Sequence, residues 1–268
     1  MLISCVTDAQ NKKKLRKENM EACREFAQLG QWYMKLPIQM KVHFSYKAIP
    51  VTDDQDSTDT DMILYYGKNN FYMQAENVEQ IINDTMVVIV NNEARVITLY
   101  HNEDDLMSTL KKITSLLMPD SAVEKLADLY DAKTESRGDG TSAISLQSKE
   151  KITGTNLVKE TINVIYKPVT LEPVEYDQSR FSLIPIDSAV YSRLNGVSAF
   201  AGRLVKVKMD AEDLFFVVKE KITHYGFSQI LNNQLSSPVK EQDRISKDGD
   251  GSYVPAKGYE GYLLSKEF

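Results

Sequence analysis

Residues 39–48 alternate strictly: Met40, Val42, Phe44 and Tyr46 are apolar, while Lys41, His43, Ser45 and Lys47 are polar. A period of two puts each set on its own face, so this stretch predicts a half-buried strand. The pattern before it is different. Leu15, Ala22, Phe26, Leu29 and Tyr33 recur at helical spacing over residues 14–33, and Pro37 ends any helix. After it, residues 53–61 read as an acidic loop. Residues 61–100 then hold short apolar runs separated by Gly67-Lys68-Asn69-Asn70, Asn83-Asp84 and Asn91-Asn92. Asn, Asp and Gly tolerate the positive φ of tight hairpins. The connections are too short for crossover helices, so these strands must be antiparallel neighbours in a β-meander.

Two helices are predicted next. Glu103, Asp104 and Asp105 place negative charge in the first turn of one, whose core face is Leu106, Leu110, Ile113 and Leu117. Pro119 separates it from the other, which opens with the capping-box spacing Ser121-x-x-Glu124 and buries Val123, Leu126, Ala127 and Tyr130. Residues 134–142, with Arg137-Gly138-Asp139-Gly140, read as an exposed loop. Residues 158–166, 180–186 and 203–209 predict strands. Residues 214–225 carry helix-cap candidates in Asp210 and Asp213, yet Phe215-Phe216-Val217-Val218 and Ile222-Thr223 favour a strand. Residues 231–260 are mostly irregular, and Tyr253, Tyr259 and Tyr262 are expected to pin them to the body. The fold class is α+β, mainly antiparallel β.

Composition narrows the function. At 268 residues, with 42% hydrophobic and 26% charged positions, the chain can bury a sizeable core. A net charge of −6 argues against nucleic acid as the main partner, which would call for a basic face. No apolar run is long enough to span a bilayer.

Candidate chemistry is sparse. His43, His101 and His224 lack metal-ligand spacing to one another or to a cysteine. There is no G-x-S-x-G elbow, Walker A loop or G-x-G-x-x-G fingerprint. The acidic stretches at 53–61 and Asp248-Gly249-Asp250-Gly251 lack the closing Glu of an EF-hand, and they read as solvated loops. No catalytic residue, metal or cofactor is assigned, and a non-catalytic binding protein is expected.

The N-terminus supports two readings. Leu2-Ile3-Ser4-Cys5 resembles a bacterial lipobox, which would make Cys5 a lipid-attachment site, although the basic and apolar stretches that precede a lipobox are not in this sequence. The other reading is an ordinary terminus that contains a cysteine, and Cys5 could also pair with Cys23. Lys12-Lys13-Lys14-Leu15-Arg16-Lys17 would either favour anionic head groups at a membrane surface or form a solvated helix face. Positive charge there opposes the helix dipole, so the helix is expected to start late or to fray there. Residues 1–17 are accordingly expected as a tail and 18–268 as one domain.

The succession of elements, with Met62-Ile63-Leu64-Tyr65-Tyr66-Gly67-Lys68-Asn69-Asn70-Phe71-Tyr72-Met73 and the runs 80–90 and 96–100, resembles the LolA/LolB-like lipoprotein-carrier fold. Residues 254–262 also look like the closing stretch of LolA-like proteins of Bacteroidetes type. The resemblance implies a curved, unclosed antiparallel half-barrel with helices over its concave face. It implies a periplasmic or membrane-anchored envelope protein that holds a lipid, acyl chain or lipoprotein. Candidate cavity-lining residues are Phe44, Tyr46, Leu64, Tyr66, Val88 and Val90 on the sheet, with Leu106, Leu110 and Ile113 on the lid. The alternative is an envelope or secretion component that uses the same scaffold to bind a protein.

Overall fold

The computed structural model describes residues 2–30, 32, 36–51, 54–102, 120–149, 157–209, 212–232 and 239–267. Three helices are described: α1 (Leu2–Leu29), α2 (Asp120–Leu129) and α3 (Ser188–Leu194). The strands are β1 (Ile38–Ile49), β2 (Ser57–Tyr66), β3 (Asn70–Ala75), β4 (Val78–Asn83), β5 (Met86–Asn91), β6 (Val96–His101), β7 (Tyr130–Ser136) and β8 (Ser142–Ser148). They continue with β9 (Leu157–Lys167), β10 (Glu172–Ile186), β11 (Leu204–Met209), β12 (Glu212–Asn232), β13 (Ile245–Lys247), β14 (Tyr253–Pro255) and β15 (Leu263–Glu267). Thirteen of them form one sheet in the order β15-β6-β5-β4-β3-β2-β1-β12-β10-β9-β8-β7, with β11 on β12. It is open, since its end strands β15 and β7 are not neighbours, and mostly antiparallel; β15 lies parallel to β6. The fold is therefore α+β with an unclosed, mainly antiparallel sheet.

The chain divides into two compact units. The first comprises Met1–Leu29, Phe44–Asp59 and Met118–Gly226. Register puts Ala132, Leu146 and Ile162 in one row across β7, β8 and β9, and Ile144 and Val164 in the next. These side chains share a face and pack with Ala22, Cys23 and Leu29 of α1 and Val123 and Ala127 of α2. Deleting a buried aliphatic side chain from such a core costs about 2–5 kcal/mol.

Several expectations need correction here. The helix begins at Leu2 rather than late in the basic run. The lysines sit about three turns inside the helix, where the dipole has faded. Lys14 and Lys17 lie 3.8 and 3.7 Å from Glu18 and Glu21, one turn on. The exposed loop expected over residues 134–142 is narrower: 137–141 form an exposed turn, while 134–136 and Ser142 belong to the strands of a β7–β8 hairpin. Its turn is held by Asp139 Oδ1, which accepts from the Thr141 N–H (3.0 Å) and hydroxyl (2.6 Å). Tyr130 begins β7 instead of ending a helix, though it still faces the core. Nor are residues 53–61 all solvated loop: β2 starts at Ser57, and buried Asp56 holds Lys219 Nζ at 2.7 and 3.0 Å.

The second unit comprises Gly30–His43, Thr60–Leu117 and Phe227–Phe268. Strands β2 to β6 form the meander that the Asn and Gly turns predict. Asn83 Oδ1 accepts from the N–H groups of Thr85 and Met86 at 2.9 Å, which fixes the β4–β5 turn. A Cβ on Gly67 would fall 2.2 Å from Asn70 Oδ1 and 2.8 Å from the Tyr65 hydroxyl, so a larger residue in the β2–β3 turn would have to push those side chains aside. Strand β5 is buried along both of its faces. Tyr65, Tyr72, Ile81, Val88, Val90, Ile97 and Leu99 lie beneath Ile245, Tyr253, Tyr259, Tyr262 and Leu264 of the C-terminal segment. Tyr66, Ile82 and Val87 face the other way, with Leu36, Phe71, Ile89 and Tyr100. A strand buried on both faces needs no polar alternation, which accounts for the unbroken run Met86-Val87-Val88-Ile89-Val90.

Candidate functional site

The sheet residues nominated from sequence do not share one face. Val88 and Val90 are fully buried beneath the C-terminal segment, whereas Tyr66 is buried on the opposite face of the meander and Leu64 is half-buried. Phe44 and Tyr46 are half-buried on β1. Leu106, Leu110 and Ile113 lie outside the described residues, as does the side chain of Cys5. Cys23 is buried with a free thiol, so it forms no disulfide.

Phe44 leads to residues that the sequence reading had not nominated. Its ring lies 5.0 Å from that of Tyr225 on β12, and Tyr225 lies 5.9 Å from Tyr176 on β10. Tyr176 and Tyr225 are direct cross-strand partners. Tyr176 also sits opposite Val164, which fixes the face: it is the one on which α1 and α2 pack. Alternation along β1 puts Tyr46 beside Phe44 on that face. All four rings are half-buried. An aromatic run thus continues from the helix-covered core onto partly open sheet.

Beside this run lies a buried carboxylate hub. Glu160 accepts from Gln178 Nε2 (2.7 Å), Arg180 Nε (2.5 Å) and the Tyr130 hydroxyl. Burial, reinforced by Glu160, pushes the Tyr176 phenol up to about 12, so it stays protonated at neutral pH. The same causes, burial first, raise Tyr130 further. A second carboxylate, Glu25 of α1, accepts from the Tyr166 and Thr134 hydroxyls. Asn19 ties α1 to the end of the sheet by donating to Ala127 O (3.0 Å) and Tyr130 O (3.1 Å) and accepting from the Ala132 N–H (2.6 Å).

Grooves also open among the described residues. One of about 820 Å³ runs beside α1 and β7, lined by Leu15, Ala22 and the carboxylates Glu18, Glu21, Glu25, Asp131 and Glu135. Another, about 310 Å³ in the second unit, holds His43 against Asp61 at 3.0 Å. No group of three metal-ligating side chains occurs among the described residues, and no described helix is long and apolar enough to cross a membrane.

Fold and site define an open-sheet α+β protein whose most distinctive surface is an aromatic run beside a buried ionic hub. No family model matches the chain, and no curated protein does. It is similar to an uncharacterized conserved protein from Thermus thermophilus (TM-score 0.36, 7% identity, covering 90% of this chain and 96% of that one). It is also similar to a DUF1329 family protein from Desulfovibrio piger (TM-score 0.30, 11% identity, covering 82% and 95%). At these scores neither likeness bears on function, which must be argued from residues.

Proposed function

We propose that this chain is a non-catalytic binding protein that takes a lipid or acyl chain over the aromatic run Phe44, Tyr46, Tyr225 and Tyr176. The carrying observation is the serial ring contact of Phe44, Tyr225 and Tyr176 at 5.0 and 5.9 Å on half-buried sheet. Rings left partly open beside a filled core offer an acyl chain apolar area, worth about 25 cal/mol per Å² buried. The LolA/LolB-like likeness of the sequence supports the same reading, and with it a place in a bacterial envelope. The basic stretch of α1 fits association with a membrane surface.

Equilibrium titration with a neutral fluorescent acyl probe tests this. Saturable binding is expected, weakened by Phe44→Ala and by Tyr225→Ala. Absence of saturable binding, or indifference to both substitutions, overturns it.

The groove beside α1 and β7 favours a second reading, in which the scaffold binds an envelope protein. It is large and half polar, as protein contact surfaces are. A stable complex with one protein, lost on Glu25→Arg and formed without lipid, would decide for it.

A further inference from the structure

Arg180 on β10 and Lys221 on β12 are direct cross-strand partners, so two cations project side by side from the face that carries the aromatic run. Like charges in this position destabilise a sheet. One carboxylate stands beside them, Glu160, and it takes only the Nε of Arg180. The two Nη groups of Arg180 and the ammonium of Lys221 have no partner among the described residues. The remaining charges facing this spot are satisfied: Lys219, two residues from Lys221, is held by buried Asp56. Glu160 already accepts from Tyr130, Gln178 and Arg180. The spot therefore carries net positive charge, with its free donors exposed to solvent.

Its position gives that charge a use. Tyr176 is four residues from Arg180 along β10, and Tyr225 is four from Lys221 along β12. Four residues of strand span about 13 Å, within reach of an acyl chain. Gln178 and Thr223 lie between, half-buried and uncharged.

We infer that Arg180 and Lys221 seat the head group of an anionic amphiphile, a carboxylate or phosphate ester, whose acyl chain lies along Tyr176, Tyr225 and Phe44. This rests on the acyl-binding reading above and adds the chemical class of the ligand. A guanidinium already oriented through its Nε presents its Nη edge to an oxyanion at little entropic cost.

The test displaces the neutral fluorescent probe with tetradecanoate, tetradecyl phosphate, tetradecan-1-ol, acetate and inorganic phosphate. Substitutions are made at Lys221, which is exposed and unpaired, because truncating Arg180 would strand the buried Glu160. The wild type is expected to prefer the anionic amphiphiles to the alcohol by about fivefold, the worth of one or two partly exposed ion pairs. Lys221→Gln should remove most of that preference and Lys221→Glu should reverse it. Equal affinity for acid and alcohol, or a preference untouched by both variants, overturns the head-group seat alone. Displacement by acetate or inorganic phosphate as effective as by the amphiphiles also overturns it, since a bare anion site would then suffice. If none of the long-chain compounds displaces the probe, or the probe itself does not bind, the acyl-binding reading fails and this inference with it.

Discussion

Arg244 closes on Glu79 from 165 residues away: its Nη2 and Nε donate to Glu79 Oε2 at 2.6 and 3.0 Å, and both side chains are largely buried. The Tyr72 hydroxyl donates to the same oxygen at 3.1 Å and Asn92 Nδ2 to the other at 2.9 Å. The guanidinium stacks over the Tyr259 ring at 5.0 Å. This ion pair fastens the C-terminal segment across the apolar meander face, so its loss should be felt well beyond one contact.

Arg244→Met should destabilise the protein by about 3–5 kcal/mol, because it leaves Glu79 buried and unpaired. Arg244→Met combined with Glu79→Gln should recover part of that loss. Urea denaturation of the single and double variants measures both. Proteolysis should begin within residues 239–267 in the single variant.

The pH dependence follows from the same hub. Burial pushes the Glu79 carboxyl up, but hydrogen bonds from Asn92 and Arg244 and the Arg244 charge outweigh it and hold it below the usual range. Its folded-state pKa is thus depressed, so its contribution is present above the unfolded value and is lost as pH falls through the folded one. Tyr72 moves the other way: burial and Glu79 push it up to about 12. Its contribution is full below about 10, its unfolded value, and is lost as pH rises toward 12. Thermal melts across pH should show both flanks. Tyr72→Phe should shallow the alkaline flank without abolishing it, since Tyr130 and Tyr176 are raised too, and should also weaken the acid flank slightly, since it removes one of the hydrogen bonds that hold the Glu79 carboxyl down.

Cys23 lies within the α1–α2 core, where burial raises its thiol above the ordinary value. In a Cys5→Ser variant, a thiol reagent should label nothing at neutral pH until denaturant unfolds the chain. Fast labelling under native conditions would show that α1 opens locally.

Asn19 should matter more than its single side chain suggests, since it serves two carbonyls and one N–H where α1 meets the start of β7. Asn19→Leu keeps similar bulk but leaves those backbone groups unmatched. A loss of about 2–3 kcal/mol is expected in denaturant titration, with a growing tendency to associate through the uncovered β7 edge.

How far the sequence could lead differs between the two units. The meander is legible because its turns carry Gly67, Asn83 and Asn91, and because each strand pairs with the next. The β7–β8 hairpin is missed because Tyr-Asp-Ala-Lys-Thr-Glu-Ser shows one buried aromatic and one Ala, too weak an alternation to set against a Gly-rich turn. The candidate site is half legible. Phe44 and Tyr46 stand out from alternation, but their aromatic neighbours Tyr176 and Tyr225 come from strands more than a hundred residues away. Opposition of Arg180 to Lys221 needs the register of β10 on β12, which no local pattern specifies. Val88 and Val90 read as lining because a doubly buried strand gives no sign of which cover lies over which face.

The parallel seat of β15 beside β6 has a consequence for how the chain is made. The meander through β6 can leave the ribosome and pair with itself early, while β15 and the tyrosines of its segment come much later. Throughout that interval the β6 edge stands open and the face holding Val88, Val90, Ile97 and Leu99 is bare. Until β15 has been made, the nascent chain therefore carries a half-finished sheet with an unpaired edge and an uncovered apolar face.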